Sequence, residues 1–381
     1  MANKKSNLAR KTSVVTLRLT EYEKGECEKL ALKQGLGTTS EYFRHLHQEN
    51  VERNKKKSPS TKCKIEYEKR PTIFHKTKFG KIFHGDSLAL LHERLEEKSV
   101  DLIVTSPPFG LLRPKAYGNR TEEQYLKWFG AFADGFLRVL KPTGSLVIDI
   151  GGAWMQGEPT RSLYHFELLI LLCKEYGFHL AQEHYWWNPS KLPTPVEWVN
   201  VRRTRVKDAV NCIWWLSPTT RPKADNRQVL APYSSSMKNL LKNGYSRNLR
   251  PSGHDISDKF GRDNGGAVPP NLIALANTES NSAYQKYCHK NEFVIHPARF
   301  PVGIPEYFIR MLTKKGDVVL DPFGGSCVTG EAAERLERNW TCCEIMEAYL
   351  HGAKGRFLPQ TKLNKRTKPY EIHPPCLIEH R

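Results

Sequence analysis

Two short stretches carry residues that can do chemistry. In "DLIVTSPPFG", residues 101–110, an apolar run ends on Ser106, Pro107, Pro108 and Phe109. Prolines remove backbone donors and fix φ. They leave a hydroxyl and a carbonyl on a stiff loop, beside a ring able to stack on a flat ligand. In "DPFGGSCVTG", residues 321–330, Gly324 and Gly325 let backbone approach a ligand closely. The helix that follows would favour a negative group such as a carboxylate at its N-terminus. Glu344 ends the next apolar run, where a carboxylate accepts from ribose hydroxyls. Taken alone, such a turn fits a dehydrogenase or any nucleotide binder, and the GxGxxG spacing is missing.

The elements that must position these stretches alternate from about residue 72. "KIFHGD", "DLIVT", "SLVIDIGG", "FHLAQEHYWW", "DAVNCIWWLS", "DVVLD" and "WTCCEI" read as seven strands. Helices are predicted over "SLALLHERL", residues 121–140, "RSLYHFELLILLCKEYG", "IPEYFIRMLTKKG" and "GEAAERLERN". The second of these places Tyr125, Trp128, Phe129, Phe132, Phe136 and Leu140 on one face, with Thr121 and Gln124 as a capping box. "KPTG" reads as a turn. The pattern is that of an α/β chain with a doubly wound, mostly parallel sheet. Ligands of such sheets lie at the carboxyl ends of strands, near a switch in strand order. Both chemical stretches end strands, so one cleft can hold both.

The N-terminal 52 residues read as a separate unit. "SVVTLRLT" alternates with period two, and two helices follow, "EYEKGECEKLALKQG" stopped by Gly35 and "TTSEYFRHLHQE". Strand, helix, turn, helix resembles a ribbon-helix-helix module, which would pair two chains and present Thr16 and Arg18 to a DNA groove. The alternative is an extension that packs on the main domain. Residues 53–71 read as a basic linker. Residues 217–293 break the alternation with Pro, Gly, Ser, Asn and basic residues, a mixture suited to phosphates and base edges, against a plain surface insertion as alternative. Residues 359–381 form a basic tail.

The 381 residues carry a formal net charge of +19, which points to a polyanionic partner. Nine cysteines without a CxxC pair argue against a disulfide scaffold or a zinc site and for a reducing cytoplasm. There is no signal-peptide pattern and no apolar run of membrane-spanning length.

"TSPPF" resembles the catalytic motif of amino-group DNA methyltransferases, where Asp, Asn or Ser precedes Pro-Pro and an aromatic. The Ser form is similar to the cytosine-N4 group. "DPFGGS" resembles the family's cofactor motif, and its position after the catalytic motif is that of the circularly permuted beta group. "HGDSLALL…VDLIVTSPPF", "GGAWMQGEPTRSLYHFELLI", "NPSKLPTPVEWVN", "RVKDAV", "RPSGHDI", "DNGGAVPPNL" and "HPARFPVGIPEYFIRMLT" look like successive blocks of PvuII-type cytosine-N4 methylases, over roughly residues 72–358. Cys327-Val328 departs from the pattern, which more often has Gly or Asn followed by Thr.

The resemblance implies a permuted seven-stranded S-adenosyl-L-methionine-dependent methyltransferase fold. Residues 72–216 would be the catalytic half, 217–293 the target-recognition region and 294–358 the cofactor half. It implies transfer of a methyl group to N4 of a cytosine flipped out of duplex DNA, in a prokaryotic cytoplasm at the nucleoid, protecting sites from a partner restriction endonuclease. Ser106, Pro107, Pro108 and Phe109 would hold the amine and the base. Asp149 would hydrogen-bond Ser106 or accept its proton, or else merely cap the Gly151-Gly152 turn. Asp86 would take the adenine amino group, or only cap the helix beginning at Ser87. Glu344 would take the ribose, with Ile345 on the adenine face. His296, Pro297, Arg299, Phe300 and Pro301 would close over the methionine end, with Asp321, Phe323, Gly325 and Ser326 forming the loop. Lys191, Arg202, Arg205, Arg250, His254 and Arg18 are the DNA-contact candidates. No metal is expected. The competing readings are an adenine-N6 enzyme on the same scaffold, an RNA methyltransferase, and an N-terminal module that represses its own operon.

Overall fold

The computed structural model describes residues 20–56, 67–110, 122–155, 157–244, 261–278 and 282–358. It divides into two compact units, residues 1–66 and 67–381. In the first, α1 (Glu21–Lys33) and α2 (Thr39–Lys56) take the expected places. Thr20 and Glu23 form a capping box on α1, and Gly35 ends it at φ 71°. Thr38 Oγ1 accepts from the Glu41 N–H at the start of α2. α2 continues to Lys56, into the stretch expected as linker, because nothing before Ser58-Pro59 stops a helix. The expected strand with Thr16 and Arg18 lies outside the described residues, as does the basic tail.

The second unit is one nine-stranded sheet. In chain order it comprises β1 (Thr72–Lys76), β2 (Gly80–His84), α3 (Ser87–Ala89), β3 (Val100–Thr105), α4 (Glu122–Val139), β4 (Leu140–Ile150), α5 (Tyr164–Lys174), β5 (His179–Trp187) and β6 (Val210–Ser217). There follow α6 (Ser235–Asn243), β7 (Leu272–Ala274), α7 (Ala283–Lys290), α8 (Gly303–Leu312), β8 (Val318–Asp321), α9 (Val328–Arg335), β9 (Asn339–Glu344) and α10 (Glu347–Ala353). The order across the sheet is β1-β2-β9-β8-β3-β4-β6-β5-β7. All seven expected strands are present. β1 and β7 are additions that pair antiparallel to β2 and parallel to β5. "KPTG" belongs to β4 rather than to a turn, and the register with β3 shifts there, between Val100 and Leu102. β7 and α7 fall inside the stretch expected to be irregular. α7 packs against the cofactor half, where a β-carbon on Gly352 would meet Cys288 Sγ at 2.6 Å.

Both faces of the sheet are covered, so β3 is buried throughout and splits its apolar side chains between two cores. Leu102 and Val104 pack with Phe308 and Ile309 of α8. Ile103 packs with Phe129, Phe132 and Phe136 of α4. The aromatic stripe read from 121–140 is thus buried as its spacing demands; each ring removed from water contributes about 1.5–3 kcal/mol. β3 and β8 are parallel neighbours. From β3 the chain crosses to β4 on one side, and from β8 to β9 on the other. That is the switch in strand order, and both chemical stretches leave the sheet there.

Candidate active site

Thr105 ends β3 and Asp321 ends β8. Thr105 Oγ1 donates to Asp321 Oδ1 at 2.7 Å, and Thr329 Oγ1 donates to Oδ2 at 2.7 Å. The Phe323 N–H adds a third bond at 3.1 Å. Asp321 is buried, and burial raises its carboxyl to about 6 against the pull of these donors. It therefore ties the two half-sites together. Ser87 Oγ donates to the Pro322 carbonyl, fastening the same loop to α3.

On the other side of β3, Ser106 Oγ donates to Asp149 Oδ2 at 3.1 Å. Asn211 Nδ2 at the start of β6 donates to Asp149 Oδ1 at 3.1 Å. Asp149 is buried on β4, and burial raises its carboxyl to about 6, with the Asn211 and Ser106 bonds and the Lys191 charge pulling it down. Asp149 is therefore bonded to Ser106. Because an ionised carboxylate only accepts, the Ser106 proton is directed inward and the hydroxyl lone pairs are left for a ligand. Phe109 lies against Gly151: a β-carbon there would come within 2.6 Å of its ring. The Tyr164 hydroxyl donates to the Gly151 carbonyl and fixes that turn.

The cofactor loop is held by its own chain. The Gly325 N–H donates to Glu344 Oε2 at 2.9 Å, and the Met346 N–H to Oε1 at 2.8 Å. Burial raises the Glu344 carboxyl. Gly325 has φ 50° and its Cα faces the His296 ring, 3.0 Å from a β-carbon's place. Cys327 is buried at φ 57°, a left-handed conformation in which Gly or Asn is cheaper. Ile345 and Met346 remain 38% and 36% exposed beside Glu344. An acidic acceptor flanked by exposed apolar side chains, at a turn where glycine admits close approach, fits the adenosine of S-adenosyl-L-methionine.

Other expected cofactor residues have structural partners. Phe323 packs among Trp128, Phe129 and Phe132 of α4, 4.9 Å from the last. Ser326 is buried, with its carbonyl and hydroxyl accepting from Arg356 at 2.7 and 3.1 Å. Asp86 does cap α3, accepting from the Leu88 N–H at 2.8 Å, and its other oxygen accepts from the Glu68 N–H at 3.2 Å. His296 stands edge-on to Tyr349, and its carbonyl accepts from Arg299. Phe300 is buried in the core formed with α8, while Pro297 and Pro301 flank it in the same segment.

Of the DNA-contact candidates, Lys191 is exposed on the loop after β5. Arg202 pairs with Glu197 at 2.7 Å over the Trp198 ring. Arg205 is only 16% exposed and shares Asp208 with Arg161, at 3.2 and 2.6 Å, so its charge orders the loop. Arg250, His254 and Arg18 lie outside the described residues. Asn211, Arg161, Tyr164 and Arg356 were not expected. Each reaches the site through strand register or packing, which no local motif announces.

The family described as DNA methylase, of the N6/N4 type, matches residues 100–355. The type II methyltransferase M.PvuII of Proteus hauseri is 49% identical over 297 residues, 77% of this chain and 88% of that protein. M.BglII of Bacillus subtilis is 28% identical over 284 residues, 74% of this chain and 69% of its own. The solved structure of the PvuII DNA methyltransferase (cytosine-N4-specific) is similar at 43% identity and a TM-score of 0.62, over 78% of this chain and 92% of that one.

Proposed function

The chain belongs to the N6/N4 DNA methylase family, and from that premise we propose that it methylates the exocyclic N4 amine of cytosine in DNA, with S-adenosyl-L-methionine as donor, as the modification enzyme of a restriction-modification system. The observation that carries this reading is the Ser106–Asp149 hydrogen bond at the carboxyl end of β3, beside the loop that ends β8.

Bound S-adenosyl-L-methionine supplies an electrophilic methyl group. Glu344 and Ile345, with Asp86, would hold its adenosine; Gly325 and the segment from His296 through Arg299 to Pro301 would hold its other end. Everything else falls to the chain. A cytosine amine is a weak nucleophile because its lone pair is delocalised into the ring. Acceptors that bond its two N–H groups favour the pyramidal form and stabilise developing positive charge. Ser106 Oγ and the Pro107 carbonyl are those acceptors, and the Pro107-Pro108 step keeps them in place. Phe109 stacks on the extruded base, whose flipping costs on the order of a few kcal/mol. The proton leaves through Ser106 to Asp149, which is ionised above about pH 6.

Lys191 and Arg202 would contact the DNA backbone, with Arg250 and His254 in the target-recognition region. Arg18 and the N-terminal unit would pair two chains on DNA and repress the enzyme's own operon. A cognate endonuclease would cut the same sites unmodified, and the enzyme would act at the nucleoid. Among the described residues no helix is long and apolar enough to cross a membrane. The test is nucleoside digestion of modified DNA with mass spectrometry. N4-methylcytosine is expected, and N6-methyladenine alone would overturn the assignment. Gel shifts of residues 1–55 on upstream DNA test the operator role.

A further inference from the structure

We propose that Asn211 is a positioning residue for methyl transfer, orienting Asp149 so that one oxygen faces Ser106 and remains the acceptor of its proton. The inference rests on the proposed role of the Ser106–Asp149 pair and deepens it.

The geometry is specific. β6 runs antiparallel to β4, with Asp149 opposite Ile213 and Ile150 opposite Cys212. Asn211 is the next residue along, at the edge of the site, where it pairs in the sheet with Trp186 of β5. From there its amide reaches back to Asp149 Oδ1 at 3.1 Å. The carboxylate can only accept, so Nδ2 must face it and the amide oxygen must face away. That oxygen lies toward Gly151, 3.3 Å from where a β-carbon would stand, on the side where Phe109 rests. Asn211 thus occupies one oxygen of Asp149 and touches the turn that seats the stacking ring.

Ser106 and Asn211 both donate hydrogen bonds to this buried carboxylate. Without the second, Asp149 can rotate away from Ser106 or take up a proton. The other groups around it are Tyr164 on α5, Cys212 on β6 and Lys191 on the loop after β5. Tyr164 and Cys212 are neutral near pH 7, since burial raises both, which leaves Lys191 as the cation acting on Asp149. Arg161, which acts on Tyr164 and Cys212, is held by Asp208. Removing the Asn211 donor therefore makes the charged carboxylate harder to form.

The experiment is single-turnover methyl transfer on duplex DNA across pH 5–9, with Asn211→Leu, which keeps the shape and removes the donor. The acid limb of the rate profile is expected to move to higher pH by about one unit, the scale of one charge-assisted hydrogen bond. Starting from a carboxyl at about 6, the rate then falls about fivefold at pH 6 and about twofold at pH 7 and recovers by pH 9, while DNA affinity is unchanged. Asn211→Ser, whose hydroxyl is too short to reach Asp149, should give the same shift and serves if the leucine variant does not fold. In an Asp149→Asn background neither change should alter the profile. If Asp149→Asn abolishes the acid limb but both Asn211 variants leave it in place, the positioning role is wrong and the Asp149 reading stands. If Asp149→Asn itself leaves the limb unmoved, the reading of the pair fails.

Discussion

Replacing Asp149 by Asn should do more than remove a charge. It should reverse the polarity of Ser106. Asn211 presents its NH₂ to Oδ1, so an asparagine at 149 must turn its own oxygen there and its NH₂ toward Ser106. Ser106 then accepts that bond, and its proton swings outward to where the substrate amine must find an acceptor. The variant loses both a proton sink and a preorganised acceptor, and the rate of transfer should fall by about 10²–10⁴-fold. Stability should move the other way. Burial raises Asp149 from 3.8 to about 6, so its ionisation costs the folded state about 3 kcal/mol above both values. For a group whose folded pKa is raised, stability is highest below the unfolded value and is lost as pH rises through the folded one. Integrated over protonation, about 1.4 kcal/mol of that loss falls between pH 5 and pH 8. Asp149→Asn does not pay it, so its stability gain over the parent should be larger at pH 8 than at pH 5 by that amount, or a few degrees in Tm. Single-turnover assays with labelled cofactor and thermal melts at both pH values measure the two arms. Near-parental transfer rates would refute the role of Asp149, and an equal stability difference at both pH values would refute its raised pKa.

The remaining predictions concern the cofactor loop and the DNA contacts. Glu344→Ala should weaken binding of S-adenosyl-L-methionine at least tenfold by calorimetry, about 1.4 kcal/mol, because it removes a candidate ribose acceptor and frees the Gly325 and Met346 N–H groups that bond it. Gly325→Ala places a β-carbon 3.0 Å from His296 Nε2 at a φ of 50°; it should cost about 1–2 kcal/mol in denaturant unfolding and weaken cofactor binding as well. Lys191→Ala should weaken DNA binding for all sequences alike and lower the salt slope of log K by about 1. Arg205→Ala should leave that slope in place, because the guanidinium is paired with Asp208.

How much of the site is legible in the sequence depends on whether a residue's partner is local. Ser106 and Gly325 announce themselves through neighbours one or two positions away, and the periodicity of 121–140 located the aromatic face of α4. Asp149 could be guessed as a partner of Ser106 because both end parallel strands. Asn211 could not, since its reach to Asp149 follows from the antiparallel register of β4 and β6, fixed by side chains throughout both strands. The partners of Asp321 were illegible for a related reason. As part of a cofactor motif it invites a ligand role, yet three donors from β3, α9 and its own turn already surround it. "KPTG" looked like a turn because Pro and Gly usually punctuate. Here the irregularity is absorbed as a shift within β4.

The buried aspartates Asp149 and Asp321 show why the site should sit at this seam. Each ends or nearly ends a central strand, each is raised to about 6 by burial, and each accepts only from neutral donors. Hydroxyl and amide donors leave a carboxylate near neutrality instead of deeply ionised, as an arginine partner would make it. For Asp321 this is a structural cost, offset by joining Thr105 to Thr329 and so holding in register two loops that are 216 residues apart in the chain. For Asp149 the same environment is useful, because a base whose pKa lies close to the working pH can both take a proton from Ser106 and release it to water. An arginine or lysine in hydrogen-bond contact with Asp149 would stabilise the fold and remove that property. Lys191 acts on it from an exposed loop, and the contacts themselves are Ser106 and Asn211. The neutrality of the Asp149 contacts therefore carries the argument for proton transfer at least as much as the short motif that first drew attention to Ser106.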